Sequence, residues 1–170
     1  MKQNSALWVT VTALFTAMTV ILSMSIFSIP VPGGHLYFCD TVINTAAVLL
    51  DPLSAMIVGG IGSFLGDMLF YPAPMFVSLV VHGLQGLIVS LLSRKMRLRH
   101  RALSTGIAMS VGAVIMTIGY TLGRAYVYAT PEVAAVKLPF EILQGIFGVA
   151  VAMALLYPLR LEERFHQILY

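Results

Sequence analysis

Long apolar stretches, separated by short polar breaks, dominate the pattern of this chain. The breaks fall at residues 30–35, 50–52, 71–74, 94–101 and 130–137. A helix needs about 20 mostly apolar residues to cross a bilayer, so the stretches between the breaks predict six membrane-spanning helices. They cover roughly residues 6–29, 37–50, 53–70, 75–93, 103–127 and 138–158. The second span is short, because the residue before Pro52 is disfavoured in the α region and ends the helix there.

The composition agrees with an all-α integral membrane protein. Hydrophobic residues make up 59% of the 170 residues, charged residues only 10%, and the mean hydropathy is +0.92. A soluble domain usually carries about 25% charged residues. We therefore expect one six-helix membrane domain over residues 1–170, located in the plasma membrane. The first stretch is too long for the apolar core of a signal peptide, about 7–15 residues, and we interpret it as a retained helix.

Lysine and arginine residues predict the orientation of this bundle. Six spans with a cytoplasmic N-terminus place eight basic residues on the cytoplasmic side and two toward the outer side. The eight are Lys2, five residues within 94–101, Arg160 and Arg164, and the two are Arg124 and Lys137. This asymmetry follows the positive-inside rule, so both termini are expected in the cytoplasm. It also explains the net charge of +3 better than a nucleic-acid-binding patch does, and we expect no nucleic-acid partner.

Two of the predicted helices repeat one polar spacing. The segments HGLQG (82–86) and EILQG (141–145) each place an ionisable residue three positions before a glutamine, which a glycine follows. Residues three apart share a helical face. Both helices begin on the outer side of the predicted topology, so the two polar stripes are expected to face one cavity from two walls. The glycines would let neighbouring helices approach just below it.

Most other polar residues of the helices fall in the same outer half. They are Asp67, Arg124 with Tyr120 and Tyr128 one turn to either side, and Asp40 and Asn44 at the top of the second helix, next to His35 in the first outer loop. Ionisable groups inside a membrane are costly and usually face a cavity or one another. A structural polar lock, with Asp67 or Glu141 paired to Arg124 or Lys137, would use the same residue types, but the clustering on one side favours a ligand cavity. Taken singly, the two tyrosines fit packing or an interfacial belt better.

Small residues recur four positions apart in the first and third helices. They are Ala13 and Ala17 in the first, and Gly59, Gly62, Ser63 and Gly66 in the third. Such spacing lets helices approach closely. Packing inside this bundle explains some of these residues, and the stripe on the first helix also suits a partner subunit.

Motifs for catalysis or cofactor binding do not stand out. We find no phosphate-binding loop, no His-Glu-x-x-His motif and no Ser-His-Asp order, and His82 and Glu141 lack an identifiable third metal ligand. Cys39 is the single cysteine and excludes an intramolecular disulfide. No cofactor and no metal are therefore expected. A membrane-embedded enzyme that uses His82, Glu141 or Asp67 as acid or base is a rival interpretation, as is a self-sufficient transporter or channel.

The order and spacing of several segments carry a family resemblance. ALFTA lies in the first helix, GSFLGD ends the third, HGLQG lies in the fourth, and FCDTVINTAAVLLDPLSAMIVGGIGSFLGD includes the second and third. Together they resemble the substrate-binding S components of energy-coupling factor (ECF) vitamin transporters, in the riboflavin-type or general branch. The likeness covers about Leu7 to Leu159.

The resemblance implies a capture subunit, not an enzyme, that binds a vitamin or vitamin precursor from outside. It implies assembly with a transmembrane coupling subunit and two cytoplasmic ATPases, and delivery of the ligand by toppling in the membrane. It further implies that Ala13 and Ala17 dock on the coupling subunit. Carried over by position, the ligand-binding region holds His35, Asp67, Tyr71, His82, Gln85, Arg124, Glu141 and Gln144.

The resemblance leaves the substrate open, since members of one branch bind different vitamins. The expected site offers two acids, a cation, two histidines and two amides. That set suits a small heterocycle rich in hydrogen-bonding groups, such as a pyridoxine-like or hydroxymethylpyrimidine-like compound. Riboflavin or cobalamin would need a larger cavity.

Overall fold

A computed structural model describes residues 5–24, 27–96, 100–161 and 165 of the chain. Over these residues the chain forms six α-helices in the predicted order. Their bounds are Ser5–Leu22 (α1), Cys39–Leu49 (α2), Pro52–Phe70 (α3), Met75–Lys95 (α4), Arg101–Gly123 (α5) and Pro131–Leu156 (α6). A π-helical turn, Arg124–Tyr128, extends α5. Lys2, Arg164 and the basic residues at 97 and 99 lie outside the described residues.

Four helical stretches are long and apolar enough to cross a membrane: α3, α4, α5 with its π-helical turn, and α6. The helices α1 and α2 are apolar but shorter. All eleven residues of α2 are buried, and the helix packs against α1, α3, α4 and α6. The other helices therefore cover α2 on all sides, which explains why a helix this short is part of the bundle.

The first predicted span is too long by seven residues, because α1 ends at Leu22 instead of residue 29. The chain turns at Ser23 and then forms an antiparallel hairpin of β1 (Ile29–Val31) and β2 (Gly34–Leu36), in which Val31 pairs with Gly34. Pro32 and Gly33 make the two-residue turn. Gly33 has a φ of +81°, which a type II turn requires at its second central residue, after a proline. The preference of Pro32 and Gly33 for a turn therefore outweighs the apolar pattern, which favours a helix up to residue 29.

The last predicted span begins too late, because residues 131–137 are helical and not part of an outer loop. Pro131 occupies the first helical position, where its missing N–H has no partner to lose. Thr130 is extended, and its carbonyl oxygen accepts the first helical bond, from the N–H of Ala134 at 3.0 Å. Pro139 lies inside α6. Membrane helices tolerate such a proline where neighbouring elements satisfy the freed carbonyl.

Glycines bring α3 close to its two neighbours, as the small-residue spacing predicts. A Cβ at Gly59 would lie 2.3 Å from the carbonyl oxygen of His82, and one at Gly86 would lie 2.3 Å from that of Ala55. On the other side of α3, a Cβ at Gly66 would lie 2.5 Å from Cβ of Ser23. The glycines therefore serve close packing inside the bundle, between α3 and the elements on its two sides.

The two ends of the bundle differ in chemistry. The hairpin end carries β1, β2 and the segments 71–74 and 129–130, and the opposite end carries residues 50–51, 96 and 100. A buried apolar cluster fills the half toward the opposite end, with Leu49, Val89, Met109 and Leu156 among its members. The buried polar side chains of α4, α5 and α6 that the sequence singled out lie toward the hairpin end.

Candidate functional site

A small, largely enclosed cavity lies at the hairpin end, and its volume is about 40 Å³. Seven of the eight predicted site residues line it: His35, Asp67, Tyr71, His82, Arg124, Glu141 and Gln144. They come from the hairpin and from the hairpin-facing ends of α3 to α6. The structure thus brings together residues that are more than 100 positions apart in the chain.

The eighth predicted residue, Gln85, lies one layer behind the cavity wall. Its side chain is fully buried, and within the described residues it is not part of the cavity lining. Its Oε1 lies 2.7 Å from Nδ1 of His82, and its Nε2 donates to Oδ1 of Asp40 at 3.0 Å. Gln85 therefore supports His82 from behind.

Asp40 is the residue on which the two repeated polar stripes converge. Its Oδ2 accepts a hydrogen bond from Nε2 of Gln144 at 2.7 Å, while its Oδ1 takes the bond from Gln85. Asp40 is 1% exposed, in the first turn of α2. Gly148 makes room for it, since a Cβ there would lie 2.7 Å from Cβ of Asp40. The sequence placed Asp40 in the polar half but gave no sign of this central position.

Glu141 and Arg124 form an ion pair at the wall between α5 and α6. This is one of the pairings that the sequence left open. Thr121 donates to the other carboxylate oxygen at 3.3 Å, and the guanidinium carbon of Arg124 lies 5.5 Å from the ring centre of Tyr128. Both charged side chains are buried and still line the cavity. The pair can offer a ligand an acceptor and a donor side by side.

A chain of hydroxyl groups connects Asp67 with α4 and α5. Ser78 donates to Asp67, and the hydroxyl of Tyr120 lies 2.5 Å from that of Ser78. The ring of Tyr120 also lies 5.2 Å from that of His82, centre to centre. Tyr120 lines the cavity, whereas its spacing alone favoured packing. Ser78 lies one turn before His82 on the same face, and that spacing is the signal that would have found it.

The hairpin covers the cavity and is fixed to α6. Nζ of Lys137 donates to the backbone oxygen of His35 at 2.6 Å, and the backbone N–H of Tyr37 donates to Oε1 of Gln144 at 3.0 Å. Tyr37 follows β2, and burial, more than the nearby negative charge of Asp67, raises the pKa of its hydroxyl above the ordinary range. Its phenol is therefore a neutral hydrogen-bonding group in the cavity lining.

Cys39, Asp40 and His82 bring potential metal-ligand atoms within 4.8 Å of one another. Both oxygens of Asp40 already accept amide hydrogens, and Nδ1 of His82 lies in contact with Gln85. Hydrogen bonds thus engage the oxygens of Asp40 and Nδ1 of His82.

Ala13 and Ala17 lie on an exposed face of α1. They line an open apolar groove between α1 and α3, together with Val9, Ile57 and Leu65. The buried face of α1 is fixed to α3 by a hydrogen bond from Thr12 to Ser54, 3.1 Å long. The small-residue stripe of α1 is therefore free on the surface, in contrast to that of α3.

Asp51 joins α1 to the start of α3 at the opposite end. Its carboxylate caps α3 by accepting from the N–H groups of Leu53 and Ser54, and it also accepts from the indole of Trp8 and the hydroxyl of Ser54, both at 2.5 Å. Partial burial acts to raise the pKa of Asp51, but these hydrogen bonds together hold it below the ordinary value.

Residues 3–161 match the protein family described as ECF-type riboflavin transporter, S component. The chain belongs to this family. This S component is also 31% identical over 150 residues to the thiamine precursor transporter HmpT of Lactococcus lactis subsp. cremoris, a match over 86% of this chain and 83% of that protein. It is 33% identical over 144 residues to an uncharacterized protein in the gap 3' region of Pyrococcus woesei, over 85% of this chain and 95% of the relative.

Family membership and the long apolar helices establish the general role of this S component. It is a multi-pass protein of the plasma membrane, and it serves the transport of a vitamin or vitamin precursor. The sequence resemblance to ECF S components is confirmed. The family is one of transporter components and not of enzymes.

Proposed function

We propose that this S component captures a small heterocycle of the hydroxymethylpyrimidine type at its hairpin end. The observation that carries the proposal is the largely enclosed cavity, whose lining residues include many hydrogen-bonding groups. Asp67, Glu141 and His82 offer acceptors, and Arg124 and Lys137 offer donors. A compact ligand with several ring nitrogens and hydroxyl groups satisfies such a wall, and buried polar groups left unpaired by a wrong ligand give selectivity.

The size of the cavity and the relatives both bear on the choice of ligand. A volume of about 40 Å³ holds a few waters, so any vitamin must push the hairpin outward or repack the wall. That cost is smallest for a single-ring compound. The likeness to a thiamine precursor transporter favours a pyrimidine over the pyridoxine-like alternative. Riboflavin, which the family description names, requires a much larger rearrangement.

In the orientation that we propose, six helices cross or enter the membrane, both termini are cytoplasmic and the hairpin end faces outward. Described basic residues support it: Arg94, Lys95 and Arg101 lie at the opposite end, and Arg160 follows α6 there. Positive residues concentrate on the cytoplasmic side of membrane proteins. The hairpin that covers the cavity then faces the source of the vitamin.

The capture subunit would act with the transmembrane coupling subunit and two cytoplasmic ATPases implied by its family. We assign the exposed stripe of Ala13 and Ala17 to contact with the coupling subunit, because small side chains permit close helix approach. Toppling of the loaded S component would then carry the cavity to the cytoplasmic side, and ATP hydrolysis would reset it. The exposed groove beside the stripe supports this assignment.

Mass spectrometry of the small molecules that co-purify with the protein tests the substrate. We expect an unmodified hydroxymethylpyrimidine-type compound, and calorimetric titration should rank it above pyridoxine, thiamine and riboflavin. His82→Ala should weaken binding without unfolding the protein. Tight binding of riboflavin alone would contradict the proposal, and a chemically altered ligand would favour the enzyme interpretation. Uptake into vesicles by this chain alone would favour a self-sufficient transporter.

A further inference from the structure

Asp40 lies behind the cavity wall and contacts two residues that determine what the wall offers. Within the described part of the chain it does not line the cavity, yet both of its carboxylate oxygens accept amide hydrogens, from Gln85 and from Gln144. Its Oδ1 also lies 3.9 Å from Nδ1 of His82, beyond hydrogen-bonding distance, so the hydrogen bonds of Asp40 reach the cavity wall through these two glutamines.

The carboxylate fixes the orientation of both amides. A carboxylate only accepts hydrogen bonds, so each glutamine must turn its NH₂ group toward Asp40 and its oxygen away. Gln144 meets this condition independently, because its oxygen accepts from the backbone N–H of Tyr37 at 3.0 Å. Gln85, oriented by the same rule, directs its oxygen at Nδ1 of His82, 2.7 Å away.

That contact decides which nitrogen of His82 carries the hydrogen. An amide oxygen only accepts, so Nδ1 must be the donor, and in a neutral imidazole Nε2 then keeps a free lone pair. The His82 side chain lines the cavity. We infer that Asp40 is a positioning residue that acts through Gln85 to hold His82 in the Nδ1–H tautomer, so that Nε2 presents a hydrogen-bond acceptor to the ligand.

This inference rests on the proposed function, because it adds a recognition rule to the same cavity. The rule selects a ligand with an N–H or O–H group opposite Nε2. An isostere without that hydrogen leaves the lone pair buried and unpaired, which costs affinity. The amino and hydroxymethyl groups of a hydroxymethylpyrimidine are donors of this kind.

Nitrogen-15 NMR of histidine-labelled protein in detergent micelles tests the tautomer without any ligand. The chain has four histidines, so a difference spectrum against His82→Gln assigns the signal. We expect a protonated Nδ1 and an unprotonated Nε2 in the wild type. In Gln85→Met the constraint is lost, and in Asp40→Asn it is weakened, because one amide oxygen must serve both glutamines. The Nδ1–H population should fall in both variants. A wild-type His82 with hydrogen on Nε2, or a tautomer unchanged in both variants, would overturn the inference.

Titration with hydroxymethylpyrimidine, its analogue without the amino group and its methyl ether tests the recognition rule. The wild type should lose about tenfold in affinity for the analogue that lacks the donor opposite Nε2. The ratio of the affinities for hydroxymethylpyrimidine and for that analogue should be smaller in Asp40→Asn. Thr105→Val is the matched control, because Thr105 is fully buried and accepts a bond from the hydroxyl of Tyr157 at 2.8 Å, away from the cavity lining; it should leave the ratio unchanged.

The two experiments can refute the proposed substrate and the positioning role independently of each other. If no pyrimidine binds but His82 shows the expected tautomer and variant response, the positioning role stands and the proposed substrate is wrong. Suppose instead that the pyrimidine binds tightly, and that the ratio of its affinity to that of the analogue without the donor is the same in the wild type and in Asp40→Asn. The proposed substrate then stands and the positioning role is refuted.

Discussion

Glu141 of α6 and Arg124 of the π-helical turn form an ion pair inside the bundle, where their side chains are only 4% and 9% exposed. Both residues also line the cavity. Breaking a buried ion pair by removing one partner is costly, because the other charge is left uncompensated, whereas removing both is tolerated better. The pair therefore serves the packing of α5 against α6 and the chemistry of the site together.

Glu141→Gln should weaken ligand binding and lower the free energy of unfolding by about 3 kcal/mol, the lower end for a broken buried pair, because the amide oxygen still accepts from Arg124. The double variant with Arg124→Met should be more stable than the sum of the single changes predicts. Chemical unfolding in detergent measures the stability of the wild type, the two single variants and the double variant. Glu132→Gln, at the start of α6, is the control. Additive single effects would show that the two side chains are not coupled.

Gly86 and Gly106 make a matched test of helix packing. A Cβ at Gly86 would lie 2.3 Å from a backbone oxygen of α3, but at Gly106 it would meet only the flexible side chain of Met153, at 3.6 Å. Gly86→Ala should therefore destabilise the protein by about 1–3 kcal/mol. Gly106→Ala should be neutral or slightly stabilising, since alanine favours helix over glycine. Equal melting temperatures for the two variants would contradict close contact between α3 and α4.

The sequence predicts the helix order and the polar end of the bundle, because both depend on local signals. The length of each apolar stretch predicts a helix. The spacing of His82 with Gln85 and of Glu141 with Gln144 predicts which faces of two helices are polar. The order of spans then brings these faces to one end. The eight site residues themselves were carried over by position from the family resemblance, and of these eight only Gln85 lies off the cavity wall.

Contacts between distant elements could not be predicted in the same way. Asp40 meets its two glutamines across 45 and 104 positions of sequence, and no spacing rule reports such a meeting. The hairpin was missed because residues 23–29 are apolar enough to continue a helix, while the turn at Pro32 and Gly33 and the packing of Gly33 on Lys137 decide otherwise. The start of α6 was missed because proline marks helix starts as well as helix ends.

Asp51 should stabilise the junction of α1 and α3 in a pH-dependent manner. Its pKa is lowered in the folded protein, so its contribution is present above the ordinary pKa of about 3.8 and is lost as the pH falls through the lower folded value. Asp51→Asn should be less stable than the wild type at neutral pH, because one amide oxygen cannot serve all the donors that the carboxylate accepts.

The difference in melting temperature between Asp51→Asn and the wild type should vanish in acid. Trp8 is the single tryptophan and donates to Asp51, so its fluorescence should change over the same pH range in the wild type and not in the variant. Ser110→Ala is a control, since it removes an exposed hydrogen bond within α5. A stability difference that persists below the folded pKa would assign the effect to packing instead of charge.

Substitution of the exposed alanines of α1 should impair transport without affecting ligand capture. Ala13→Leu with Ala17→Leu adds bulk to the open groove but lies away from the cavity, so ligand affinity should be unchanged while uptake into vesicles with the coupling subunit and ATPases is lost. The chain offers a matched control in Ala150→Leu with Ala154→Leu, since these alanines are also exposed and four apart, on α6. The control should transport normally, because leucine is tolerated wherever a helix faces only lipid. If both double variants lose uptake equally, bulk in the bundle is the cause, and the stripe on α1 is not a specific docking surface.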